Sequence, residues 1–166
     1  MKPILRLPVV VAALALSVGI AADEMISHVP IKPLAAEELE RFHGHLGPFV
    51  ALGARMGEHA VIQREIPKYF GLKVLVECPA TPPHSCLIDG LQMSTGATMG
   101  KKNIVHEIAD SIRVTITNEK NGDSVTYRIP ESTYLMMKDW EEVGLDVEDR
   151  GHRIFAMNAE ELFEIK

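Results

Sequence analysis

"SIRVTITNEKNGDSVTYRIP", residues 111–130, is the stretch that decides the fold. Two alternating, β-branched runs flank Asn121-Gly122, a dipeptide suited to the tight turn of an antiparallel hairpin. Ahead of it, "GLKVLVEC" (71–78) also alternates and reads as a strand. "IVHEIADS" (104–111) stays ambiguous between the two periods. Behind the hairpin, "ESTYLMMKDWEEVG" (131–144) looks helical, and "NAEELFEI" (158–165) is a short closing helix or strand.

Further towards the N-terminus the period changes. "SHVPIKPL" (27–34), with two prolines, is an extended lead-in. "AAEELERFH" (35–43) has helical spacing in Leu39 and Phe42. The clearest helix is "PFVALGARMGEHAVIQREI" (48–66), where Phe49, Leu52, Met56 and Ala60 recur at three and four residues. Pro48 suits the first helical position, where its missing N–H would have no partner anyway. Gly53 and Gly57 lie one above the other and would let another backbone approach closely. "SCLIDGLQMST" (85–95) reads as a short helix and "GATMGKKN" (96–103) as a glycine-punctuated loop. Helices cluster early and strands in the middle and late. The expected class is α+β: one domain, N-terminal helices packed on a mainly antiparallel sheet.

The chain has 166 residues and a formal net charge of −6. That length buries a core without disulfide staples. The acidic balance argues against nucleic acid and anionic membrane surfaces as partners, and no basic block offsets it. A small-molecule ligand is compatible with it.

The first residues follow a different rule. "MKPILRLPVVVAALALSVGIAADE" carries Lys2 and Arg6, an apolar run from Leu7 to Ile20, then Ala21 and Ala22. That is the order of a secretory signal, and the run is short for a spanning helix of about 20 apolar residues. Residues 1–22 are read as a signal peptide and 23–166 as the mature domain, periplasmic or secreted and free of the membrane after cleavage. In an oxidising compartment Cys78 and Cys86 could pair as a disulfide.

"RFHGHLGPFVALGARMG" (41–57) carries the chemistry. His43 and His45 offer two imidazoles to one ion, just before a helix start at Gly47-Pro48. A helix N-terminus disfavours imidazolium and so keeps these rings able to ligate. A third ligand would come from "CPATPPHSCLIDGLQ" (78–92), which supplies Cys78, His84, Cys86 and Asp89. Three His/Cys ligands with one open position match a catalytic zinc site. "TGATMGKKN" is not a phosphate loop: only three residues separate Gly96 from Gly100, and Lys102 stands where Ser or Thr is required.

Together these segments resemble the formylmethanofuran dehydrogenase E-subunit family. Its pattern is His-Gly-His-x-Cys-Pro-Gly, a later Cys-x-x-Asp-x-x-Gln, then Thr-Gly-Cys-Thr-x-Gly-Lys. The resemblance spans roughly residues 37–165. It implies an α+β core that pairs as a homodimer and holds a metal. His43, His45 and Cys86 match the family's metal-site residues, with Asp89 and Gln92 following, and Thr95, Gly96, Thr98, Gly100 and Lys101 match the last element. By that resemblance Thr95, Gly96 and Lys101 are the cofactor-binding candidates. Gly47 and Ala97 stand where the family has cysteines, so chemistry needing several sulfurs is not expected. The zinc finger that many members add at the C-terminus is not present in this sequence. Three readings stay open. The first is a His43/His45/Cys86 metal site, zinc first among divalent transition metals, acting on a small molecule with Asp89 or His84 as general base. The second is a carrier that uses the same ligands without catalysis. The third is an interaction module stapled by Cys78–Cys86.

Overall fold

The computed structural model describes residues 31–166. The expected signal segment, residues 1–22, lies outside the described residues.

The helical layer is built around one buried element. Helix α1 (Ala36–His43) leads in, and α2 (Pro48–Glu58) follows, continuing as a wider π turn over His59–Gln63. Along α2, Val50, Leu52 and Met56 are fully buried, and only Phe49 and Arg55 reach partial exposure. Helix α3 (Leu87–Thr95), entered through a 3-10 turn at His84–Cys86, crosses α2 at glycines. A Cβ on Gly53 would lie 2.0 Å from the Leu87 carbonyl oxygen, and one on Gly90 2.0 Å from that of Val50. The backbone approach expected at Gly53 and Gly57 is therefore present at Gly53, and α3 returns it with its own Gly90, whereas Gly57 is met by the Ser94 and Thr95 side chains.

The sheet has the order β2-β1-β3-β4-β5. Strands β1 (Leu72–Cys78), β3 (Arg113–Asn118) and β4 (Ser124–Arg128) pair antiparallel, and β5 (Glu164–Ile165) closes the edge beside β4. The expected hairpin is the β3–β4 pair, with Gly122 in the left-handed conformation (φ +81°) in its turn. The ambiguous stretch resolves as β2 (Ile104–Ile108), parallel to β1 with Val74 opposite Ile104. Helix α3 makes the crossover, so one βαβ unit sits inside an otherwise antiparallel sheet. Leu72, Val74, Val76, Val114, Ile116, Val125 and Tyr127 are buried on one face, against the helices. The opposite face is polar: Arg113 pairs with Glu77, and the Thr115 and Thr126 hydroxyls meet at 3.0 Å. The class is α+β in one domain, with a mixed and mostly antiparallel sheet.

Helix α4 (Glu131–Glu142) falls where periodicity placed it. The C-terminal stretch is both of its expected alternatives in turn: a short helix α6 (Ala159–Leu162), then β5. Between them lies a helix the sequence reading missed, α5 (Val147–Ala156). Its signals were local: Asp146 caps it by accepting from the Asp149 N–H at 2.7 Å, and Val147, Gly151 and Ile154 form one narrow stripe.

Among the described residues, no helix is long and apolar enough to cross a membrane.

Candidate functional site

The His-Gly-His turn is a helix end. His43 is the last residue of α1, and Gly44 follows at φ +98°, a left-handed cap that glycine adopts without Cβ strain. The reversal sets the His45 ring beside His43, with centroids 5.1 Å apart. Helix α5 pins the next residues. A Cβ on Gly151 would lie 1.8 Å from the Leu46 carbonyl oxygen, so only glycine lets α5 press on this turn.

The partner of His43 comes from α3. Asp89 Oδ2 lies 2.8 Å from His43 Nδ1, and a carboxylate oxygen can only accept, so Nδ1 carries the proton. In neutral His43 the unprotonated Nε2 is then the nitrogen free to ligate. Gln92 Nε2 donates to the other Asp89 oxygen at 3.4 Å. The Asp89 and Gln92 of the Cys-x-x-Asp-x-x-Gln element thus form a chain that orients one imidazole.

The other expected residues divide into near and far. Cys86 is half-buried at the start of α3, one helical turn before Asp89. Its thiol pKa is raised, first by burial and then by the Asp89 charge. His84 packs its ring on Phe49 at 4.7 Å. Thr95, Gly96 and Lys101 lie at the opposite end of α3, about 13 Å along the helix at 1.5 Å per residue. Their groups serve their own turn. Thr95 Oγ1 donates to the Leu91 carbonyl and accepts from the Ala97 N–H, and Lys101 Nζ donates to the Gly96 carbonyl.

Cys78 and Cys86 are free thiols here. Cys78 is fully buried at the end of β1, with Sγ 3.4 Å from His106 Nε2, and burial raises its thiol pKa.

The spacing of the histidine pair is compatible with shared ligation of one ion. Two imidazoles on one tetrahedral ion, with metal–nitrogen distances of about 2.0 Å, keep their ring centres about 5 Å apart. The His43–His45 spacing of 5.1 Å fits that. Among the described residues no group of three His, Cys, Asp or Glu side chains is gathered around one point, so the third donor is not drawn in with the pair.

Gly47 borders the same place. A Cβ there would lie 3.0 Å from His45 Nε2 and 3.7 Å from Val147 Cγ2. A side chain at this position would enter directly beside the histidine.

The fold and this His-Asp pair define a class of small α+β domain with a built polar site at a helix junction. Residues 42–164 match the family model described as FmdE, molybdenum formylmethanofuran dehydrogenase operon, and the chain belongs to that family. It is similar to a probable S-adenosyl-L-methionine-binding protein of Archaeoglobus fulgidus, 34% identical over 92 residues. That alignment covers 52% of this chain but only 24% of the relative. An FmdE-like protein of the tungsten formylmethanofuran dehydrogenase type from Syntrophus aciditrophicus shares the fold: TM-score 0.56 at 18% identity, covering 79% of this chain and 68% of that one.

Proposed function

We propose that this chain is an exported metal-binding protein of its family, in which His43, His45 and Cys86 hold a divalent transition ion, zinc first among them, that binds or acts on a small molecule. One observation carries the reading: the Asp89–His43 hydrogen bond at 2.8 Å. Metal-ligating histidines almost always give their second nitrogen to a carboxylate, carbonyl or water, which sets the tautomer and raises ligand basicity. The 5.1 Å spacing of the two rings supports the same assignment.

A bound zinc-type ion would polarise a substrate oxygen or acidify a water. The chain's own residues do the rest. Asp89 holds the proton on His43 Nδ1, and Gln92 holds Asp89. The two Asp89 oxygens face His43 and Gln92, which makes Asp89 an orienting group, and Asp89 and His84 are the candidate bases. Cys86, kept as a thiol by its surroundings, loses its proton when it ligates, so loading releases acid. Export rests on the signal-like order of residues 1–22, and homodimer formation on the family resemblance. The name of the archaeal relative makes S-adenosyl-L-methionine one small molecule to test.

Elemental analysis of the wild type, His43→Ala, His45→Ala, Cys86→Ala and His152→Ala tests the site. His152 is exposed and paired with Glu40 at 3.2 Å, and is the control. Metal lost from the first three variants alone supports the reading; equal metal in all five proteins removes it. A non-catalytic carrier would give the same loss with no turnover of any small molecule.

A further inference from the structure

Beside the histidine turn lies a cavity of about 370 Å³, between the start of α2 and helices α4 and α5. Its walls are Pro48, Phe49, Tyr134, Met137 and Val147. We propose that this cavity is a binding site for a small, largely apolar molecule carrying one negative charge, whose apolar part fills the cavity and whose anion meets Lys138.

Size comes first. Ligand cavities run from about 300 to 1,000 Å³, and this one lies at the small end, suited to a molecule of two or three fused or linked rings. The walls are aromatic, prolyl and aliphatic, so binding gains by removing apolar surface from water. Burial raises the Tyr134 hydroxyl pKa, in keeping with its place in that wall.

Charge comes second. Among the described residues, Lys138, Glu141 and Arg150 are the charged groups that line the cavity. Two of them cancel. Arg150 Nη1 pairs with Glu141 at 3.1 Å, and its Nε donates to the Asp146 carbonyl, so this guanidinium is committed to joining α5 to α4. Lys138 pairs with Glu142 at 3.5 Å, both side chains mostly exposed, an ion pair that contributes little and yields to a better anion. The lining itself therefore sums to one positive charge at the rim, Lys138, whose partner, Glu142, stands outside the cavity wall.

Position comes third. Val147 flanks the open space at Gly47, with His45 on its other side. Phe49 carries the His84 ring on its face. A molecule in the cavity therefore stands one side chain away from His45 and from His84. Its assignment as the substrate pocket of the metal site rests on the metal reading above; the cavity as a ligand site does not.

Two fluorescent probes with the same ring system test this: anilinonaphthalene sulfonate, which is anionic, and N-phenylnaphthylamine, which is neutral. Each is titrated into the protein as purified and after chelation, with folding checked by circular dichroism. The expected result is saturable one-to-one binding in both preparations, with the sulfonate bound more tightly. Lys138→Glu should weaken the sulfonate about tenfold and leave the neutral probe within twofold. Val147→Trp, which fills the cavity, should abolish both. Arg153→Ala, on the same helix but facing Trp140, should change neither. Lack of saturable binding, an equal loss of both probes in Lys138→Glu, or undiminished binding in Val147→Trp would overturn the site. Lys138 is 68% exposed, so its replacement tests the charge assignment whether or not the tryptophan variant folds. Probe binding that survives chelation while elemental analysis finds no metal keeps the cavity and rejects only its link to the metal site.

Discussion

Asp89 and His43 meet at 2.8 Å between Oδ2 and Nδ1, although 46 residues separate them in the chain. The contact joins the last residue of α1 to the first turn of α3. Asp89→Asn keeps the shape but removes the charge, and its amide can place an N–H where the oxygen was. We expect metal affinity to fall by about tenfold to a hundredfold, the usual effect of losing such a carboxylate. Competition against a chromophoric chelator measures it, and unchanged affinity would show that Asp89 does not support a ligand.

Gly90 and Gly53 set the distance between α3 and α2. Gly90→Ala would place Cβ 2.0 Å from the Val50 carbonyl oxygen and 2.5 Å from the Ala54 nitrogen, both backbone atoms of a buried helix. Overpacking costs about 1–3 kcal/mol, occasionally more, and this site falls at or above the upper end because backbone must move. Gly100→Ala meets nothing closer than 3.9 Å and should shift the melting temperature little. Thermal denaturation of the two variants decides it; equal melting temperatures would mean that the helices are not in contact at Gly90.

Gly47→Cys puts back the thiol that the family pattern carries. Its backbone, φ −85° and ψ 165°, accepts any L residue, and its tightest contact is 3.0 Å to His45 Nε2. Cysteine there would add a sulfur donor beside the histidine pair. Zinc affinity should rise about tenfold or more, as a fourth protein donor joins His43, His45 and Cys86. Cobalt substitution should add a thiolate charge-transfer band. A variant with neither change would place the ion elsewhere.

His59 gives the pH prediction. Its Nε2 faces the Glu160 carboxylate at 3.5 Å and so carries the proton, which leaves Nδ1 to accept from the Tyr127 hydroxyl at 2.8 Å. Burial lowers the His59 pKa below 6.5, the Glu160 charge offsetting part of the effect. The unfolded chain then binds a proton at higher pH than the folded one. The stabilising contribution is complete above about pH 6.5 and is lost as pH falls through the folded-state value. The melting temperature should drop on acidification below that point, and His59→Gln should flatten the drop. Parallel melting curves against pH for the two proteins would exclude His59 as the cause.

Much of the architecture was legible in local pattern. Val114, Ile116, Val125 and Tyr127 alternate around Asn121-Gly122, and that alone called for β3 and β4. Pro48 and the three-and-four spacing behind it marked α2. Helix α5 was missed because only Gly151 and Ile154 are buried on it, with charged residues between, and the glycine reads as a breaker until its close contact with the Leu46 carbonyl is seen. The stretch at Ile104–Ile108 stayed undecided because an edge strand with Val105 and Ile108 exposed has no regular inside and outside.

The sequence by itself determined the class of fold, the turn at Gly44 that brings two histidines together, and the family. These depend on neighbours in the chain: backbone conformation, helix ends and side-chain period are set within a few residues. Only the tertiary structure decided that β2 runs parallel to β1, that Asp89 faces His43, that Thr95, Gly96 and Lys101 lie at the far end of α3, and that the start of α2 with α4 and α5 lines an open cavity. Those relations depend on how α2 and α3 cross. The crossing is fixed by buried glycines whose missing side chains leave no pattern of their own, only room for another backbone.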